Sequence, residues 1–182
     1  MTATKQQLRQ LVRSRRPAQT GTTTETAASL LREHPHIQQA HTLLLYSALP
    51  DEVPTQELLD ELIQSGCNVL LPRVTGQVTM ELRRYTGPAD LQQGAFGIME
   101  PTGKVFTDYA AIDVAVIPGV AFDRQGHRIG RGRGYYDHFL TQIPAVYKIG
   151  LCFSWQLVDH VPTEAHDIAM DEVVTAIERN TP

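Results

Sequence analysis

The sequence predicts an α/β fold with a mainly parallel central sheet covered by helices on both faces. Three observations predict it. Residues 42–46, 68–71 and 113–117 are short, largely apolar runs of the kind found in strands buried on both faces. Segments with helical spacing alternate with such runs, which is the βα pattern of a parallel sheet. Capping and stop residues sit where the helical segments should begin and end.

Taken in order, Thr4 is placed to cap a helix over residues 5–15, with Leu8, Leu11 and Val12 on one face. Lys5, Arg9 and Arg13 recur every four residues and form a basic stripe beside that face. Pro17 and Gly21 interrupt the chain. Thr22 with Glu25 is a capping-box candidate for a second helix ending near Glu33. The strand at 42–46 leads into a loop over 47–54, and Thr55 can cap a helix over 56–65 that stops at Gly66. The strand at 68–71 ends at Pro72-Arg73. Residues 79–85 alternate apolar and polar, as a half-exposed strand does. Residues 87–103 read as an irregular connection containing Phe96 and Glu100. The strand at 113–117 ends at Pro118-Gly119. A helix over 135–141 and strands at 147–153 and 172–177 complete the chain.

The 182 residues suit one domain, taken as 1–182. Hydrophobic content of 42% and charged content of 20% are those of a soluble globular protein. A net charge of −4 argues against general adhesion to nucleic acid or membranes. No apolar run approaches a membrane span, and residues 1–15 lack the apolar core of a signal peptide, so a cytoplasmic location is expected. Cys67 and Cys152 lie in or beside apolar runs and read as reduced thiols. The seven histidines show no metal-ligand spacing, and His166-Asp167 reads as a structural pair.

Residues 128–137, Arg-Ile-Gly-Arg-Gly-Arg-Gly-Tyr-Tyr-Asp, carry the clearest chemistry. Glycine permits close backbone approach to a ligand and positive φ. Successive N–H groups in such a loop can cradle an anion. Arg131 and Arg133 add forked donors suited to phosphate oxygens, and Gly134 can open a helix whose first amides face the same anion. Asp137 is placed to hold magnesium beside the phosphates. The loop therefore reads as a site for a nucleotide triphosphate and its metal. The alternatives are an α/β enzyme acting on a sugar phosphate or acyl-CoA, which would use the loop for a phosphate without ATP hydrolysis, and a non-catalytic nucleotide or RNA-binding module built on the basic loop. In a parallel sheet, ligands bind beyond the carboxyl ends of the strands, where Ser47, Glu52, Arg73 and the glycine-arginine loop all fall.

Several segments taken together resemble the 5-formyltetrahydrofolate cyclo-ligase family, also called methenyltetrahydrofolate synthetases. They are Lys5-Gln-Gln-Leu-Arg9, residues 46–55 with Asp51-Glu52-Val53, Leu71-Pro72-Arg73, Gly97-Ile98-Met99-Glu100-Pro101, residues 118–123, residues 128–137, and His166-Asp167 followed by Asp171-Glu172-Val173. The resemblance implies a three-layer α/β/α domain. It implies ATP- and magnesium-dependent conversion of 5-formyltetrahydrofolate to 5,10-methenyltetrahydrofolate, with release of ADP and phosphate. It places the ATP contacts on Lys5, Arg9, Arg128, Ile129, Gly130, Arg131, Gly132, Arg133, Gly134, Tyr135 and Tyr136. It places folate contacts on Ser47, Glu52 and Phe96, with the loop from Arg131 to Tyr135 shared. Arg131, Arg133 and Tyr135 are the catalytic expectations, and Asp137 and Asp171 the metal ligands. The partners implied are the two small molecules, with no nucleic acid or membrane and a monomer as the expected state. Two features depart from the pattern: Pro54 stands where many members carry aspartate, and the glycine loop, with Arg131 and Arg133, is more basic than in many bacterial members.

Overall fold

The computed structural model describes residues 3–16, 25–94 and 99–177. In chain order its elements are α1 (Lys5–Arg15), α2 (Ala27–Leu31), α3 (Pro35–Gln39), β1 (Thr42–Leu44), α4 (Gln56–Gln64), β2 (Asn68–Val74) and β3 (Met80–Tyr85). There follow β4 (Leu91–Gln93), β5 (Met99–Pro101), β6 (Val105–Phe106), β7 (Val114–Ile117), β8 (Ala121–Phe122), β9 (Arg128–Ile129), α5 (Tyr135–Leu140), β10 (Tyr147–Phe153) and β11 (Glu172–Ala176).

The sheet runs β11-β10-β7-β1-β2-β3-β6. The first five strands are mutually parallel; β3 and β6 extend the sheet by antiparallel pairing. This is the mainly parallel sheet that the apolar runs predict. Leu43 and Leu45 face one side, against Ala27, Leu31, Leu58, Leu59 and Leu62 of α2 and α4. Leu44 faces the other side, with Phe139 and Leu140 of α5 and the turn residues Ile143 and Val146. Alternation along one three-residue strand thus feeds both cores. Each fully buried leucine here stabilises the fold by roughly 1.5–3 kcal/mol relative to exposure.

Local chemistry sets the ends of the elements. Thr4 and Gln7 cap α1 reciprocally: Thr4 Oγ1 accepts from Gln7 N at 3.2 Å and Gln7 Oε1 from Thr4 N at 2.8 Å. Leu8 and Val12 are buried, whereas Leu11, expected beside them, is exposed. Helix α4 stops as predicted: Gly66 has φ +83, its N–H bonds Ile63 O, and Cys67 N bonds Leu62 O, which is a Schellman motif.

Four expectations are corrected. The second helix starts at Ala27, capped by Thr26 with Ser29; Thr22 lies outside the described residues, and Glu25 accepts from Ile177 N instead. The chain after it contains α3, opened by Pro35. Thr55 makes no side-chain cap; its hydroxyl donates to Tyr46 O at 2.7 Å and closes the base of the 47–54 loop. The connection expected to be irregular contains the β4–β5 hairpin.

The β8–β9 hairpin aims the glycine-arginine loop. Its turn is organised by Asp123, which is wholly buried and accepts from Gln125 N, His127 N, the His127 ring and Val161 N. Gly126 in that turn has φ +90, and a Cβ there would stand 2.2 Å from Met170 O, so no larger residue fits.

Candidate active site

A cleft of about 480 Å³ opens at the carboxyl ends of β1, β2 and β7. Two kinds of wall face each other across it. One is apolar, from Leu71, Pro72, Val74, Met80, Met99 and Pro101. Val74 and Met99 are exposed there despite their size. The other is ionic, from α1, β9, the glycine-arginine loop, the start of α5 and residues 164–167.

On the ionic wall, α1 contributes Lys5 and Arg9 one turn apart. Lys5 Nζ lies 2.6 Å from Asp167 Oδ2 and 3.4 Å from Glu164 Oε2. Arg9 Nε donates to Gly130 O at 2.9 Å, and its guanidinium lies 3.8 Å from where a Cβ on Gly132 would sit. Gly132 and Gly134 both adopt positive φ, at +106 and +70, as the loop reading anticipates. Helix α5 has only six residues, so its aligned dipole is small and the side chains carry most of the site's charge.

Arg128 is buried under the loop. Its Cζ lies 5.6 Å from the centre of the Tyr136 ring, and its Nη2 lies 3.1 Å from Asp137 Oδ1. Burial pulls its basicity below the usual arginine value, opposed chiefly by Asp137. Nε and Nη2 nonetheless make no aligned hydrogen bond. An unsatisfied buried donor costs roughly 1–3 kcal/mol, so an anion supplying acceptors here would recover that free energy. Desolvation raises the Tyr136 phenol far above its ordinary value, with Glu52 adding to the shift, so this hydroxyl stays neutral. Tyr135 also lines the cleft and is half-buried.

Glu52 sits on the loop after β1. Its Oε2 accepts from Leu49 N at 2.9 Å and its Oε1 from Arg131 at 2.9 Å. Tyr46 closes the same loop through its hydroxyl to Val53 O. Pro54, where the resemblance expects aspartate, accepts from Ala27 N and ties the loop to α2. Ser47 lines the cleft beside it. Phe96 lies outside the described residues.

Arg131 lines the cleft and pairs with Asp51 and Glu52. Arg133 is exposed and makes no hydrogen bond or ion pair with a described residue. The structure does not bring the expected metal pair together in the cleft. Asp137 lines the cleft and accepts from Ile168 N at 3.1 Å. Asp171 does not: it stands at the amino end of β11, where its Oδ2 meets Lys148 N at 2.7 Å and Lys148 Nζ at 2.8 Å. The carboxylate that joins Asp137 in the cleft is Asp167, four residues earlier. Both of them act on Arg128.

Sequence reasoning also missed Glu164 and His166 as cleft residues. With Asp167 they present ligand atoms within 4.8 Å of one another. The available signal was His166-Asp167 inside the quoted motif. Burial, the largest single influence, works against ionising Asp167, yet the hydrogen bonds from Lys5 and Glu164 N and the charges of Lys5 and His166 together hold the carboxyl below its ordinary value. Carboxylate oxygens with only one imidazole suit a hard divalent cation such as magnesium.

Comparison with known proteins gives a consistent result. Residues 1–176 match the model of the 5-formyltetrahydrofolate cyclo-ligase family. A 5-formyltetrahydrofolate cyclo-ligase of Escherichia coli is 30% identical over 179 residues, covering 92% of this chain and 96% of its own. The enzyme of Mycolicibacterium smegmatis is 32% identical over 142 residues, covering 74% and 73%. Among solved structures, the Aquifex aeolicus 5,10-methenyltetrahydrofolate synthetase superposes with a TM-score of 0.70 at 32% identity, covering 95% of this chain and 81% of that one. No described helix is long and apolar enough to cross a membrane.

Proposed function

The chain belongs to the 5-formyltetrahydrofolate cyclo-ligase family, and from that premise we propose how its cleft converts 5-formyltetrahydrofolate to 5,10-methenyltetrahydrofolate at the expense of ATP. The observation that supports this reading is the division of one cleft into two walls. An ionic wall with unsatisfied Arg128 donors suits a polyphosphate, and an apolar wall ending at Glu52 suits a flat, amide-rich pterin.

The chemistry needs both. A formamide carbonyl is a poor electrophile, and its oxygen leaves poorly. The formyl oxygen attacks the γ-phosphorus of ATP, an O–P bond forms, and the bond to ADP breaks. N10 then attacks the activated formyl carbon, the ring closes, phosphate departs with the former formyl oxygen, and the N10 proton is released. Phosphoryl transfer depends mainly on positioning and charge stabilisation. Lys5 and Arg9 bind phosphate oxygens, exchanging their present partners for them. Arg128 fixes the loop and offers its free donors to the nucleotide, and Arg133 is free to reach it from the exposed side. Tyr135 orients the reacting groups where the two walls meet. Glu52 accepts hydrogen bonds from the pterin amino and ring N–H groups, beside Ser47. Asp137 and Asp167, with Glu164 and His166 adjacent, are the residues that would hold magnesium. When bound, that ion neutralises the charge of the phosphates. The proposed working state is a monomer in the cytoplasm.

The test incubates the protein with 5-formyltetrahydrofolate, ATP and magnesium and follows methenyl absorbance together with ADP. One ADP per methenyl product is expected. Product formed without ATP consumption overturns the phosphorylation route.

A further inference from the structure

Arg131 offers five N–H donors in a plane. Asp51 takes two of them side by side: Nη1 to Oδ2 at 3.2 Å and Nη2 to Oδ1 at 2.7 Å. Glu52 takes the second N–H of Nη2 at 2.9 Å. The two carboxylates are unlike. Glu52 is 8% exposed, points into the cleft and is also bound by Leu49 N. Asp51 is 32% exposed and does not line the cleft. Its other neighbouring cation is Arg16, whose guanidinium donates to Pro50 O at 3.1 Å.

A fork-on-fork pair fixes the orientation of a guanidinium as well as its position. A pterin that donates to Glu52 competes with Arg131 for that oxygen, but it leaves the Asp51 pair intact. We propose that Asp51 is a positioning residue for Arg131. It holds the guanidinium across the cleft, so that the N–H released from Glu52 when folate binds is presented to the formyl oxygen and the transferring phosphoryl group. Gly130 and Gly132 flank Arg131 and let the backbone adjust by small amounts without losing the pair. Burial, the largest single influence, works to raise the Asp51 carboxyl, but the Arg131 hydrogen bonds and charge, with a backbone hydrogen bond and Arg16, together hold it below its ordinary value, so the pair is charged at neutral pH. This inference rests on the cyclo-ligase reading above.

The experiment compares wild type with Asp51→Asn, Asp51→Glu, Arg131→Ala and the double variant Asp51→Asn with Arg131→Ala. Asp51→Asn should lower kcat about tenfold to a hundredfold while shifting the KM for 5-formyltetrahydrofolate only slightly, the pattern of lost orientation. Asp51→Glu should recover part of that loss. The double variant should be no worse than Arg131→Ala, because Asp51 acts through it. A wild-type kcat in Asp51→Asn, or losses that multiply in the double variant, overturns the proposal. Nitrogen-15 NMR of the Arg131 guanidinium tests it without turnover. Rotation should stay restrained in wild type when 5-formyltetrahydrofolate is added and become free in Asp51→Asn; free rotation in wild type overturns it. If wild type makes no methenyl product at all, the catalytic reading fails, and the NMR result still decides whether Asp51 orients Arg131.

Discussion

The two ends of the sheet use the same ion-pairing chemistry for opposite purposes. At the amino ends, Asp113 accepts from the backbone of His41 and Thr42, and Asp171 binds both the backbone and the ammonium of Lys148. Glu172 bonds His34 at 2.9 Å and the Tyr147 hydroxyl at 3.1 Å. Lys148 is itself buried and also donates to Val146 O. These partners tie strands to the crossovers that precede them and have nowhere else to go. At the carboxyl ends, Glu52, Asp137 and Asp167 each take one backbone N–H that places them and one cation that a ligand can take over. The difference lies in the partner's freedom. A carboxylate held by fixed donors is structural, and one held by a long side chain at a cleft is exchangeable.

Four substitutions and one titration break or sharpen this comparison. The largest effect belongs to Arg131→Ala, which should lower kcat/KM about a hundred- to a thousandfold, the scale of a lost charge-stabilising contact. Its melting temperature should barely move; a large drop would place Arg131 with the structural group. Next come the two acids of one motif. Asp167→Asn should raise the magnesium concentration for half-maximal rate about tenfold or more. Asp171→Asn should leave that midpoint alone and cost about 1–2 kcal/mol in denaturant unfolding, because Lys148 loses its counter-charge. A reversed outcome would exchange the roles of the two ends.

Glu52→Gln should weaken 5-formyltetrahydrofolate binding about tenfold in calorimetric titration while leaving affinity for a non-hydrolysable ATP analogue unchanged, since it removes charge-assisted acceptance. Equal weakening of both ligands would show that the two walls are not separate. The smallest effect is acid stability. Against the opposing effect of burial, Lys5 together with Glu164 N and His166 holds Asp167 below its ordinary value. The pair's contribution is therefore full above the unfolded value of about 3.9 and is lost as pH falls through the lower folded value. Asp167→Asn should flatten the stability profile below about pH 4, and an unchanged profile would show that the pair adds nothing to the fold.

Much of this architecture was legible because its signals are long or chemically specific. Helices α1 and α4 carry caps, spacing and a stop glycine, and the buried strands are apolar throughout. Several short elements were not legible: α3, the β4–β5 hairpin, β6 and the β8–β9 hairpin are too short to show a period and lack the continuous apolar run that marked β1 and β7. Within the site, the glycine loop announced its positive φ angles, and the basic stripe of α1 announced that Lys5 and Arg9 share a face, which the fold turns to the cleft. The cleft position of Asp167 was not legible because a sequence places it and Asp171 beside the same strand. Only the fold shows that one precedes the strand at its structural end while the other turns into the cleft. The Arg131–Asp51 pair joins residues 80 apart and left no local trace.

Helix α1 holds Lys5 and Arg9 over the cleft, yet its apolar face belongs to a small cluster of its own, formed by Leu8 and Val12 with Ala121, Ile129, Val158 and Val161. Trp155, the single tryptophan of the chain, packs against both that cluster and the main core, and its ring stacks on Phe153 at 5.6 Å. Its fluorescence therefore watches the seam between the two. On warming, the emission should change when α1 lifts away, before circular dichroism records loss of the sheet. This protein thus carries a built-in optical gauge that distinguishes a molecule still folded from one still able to grip its nucleotide.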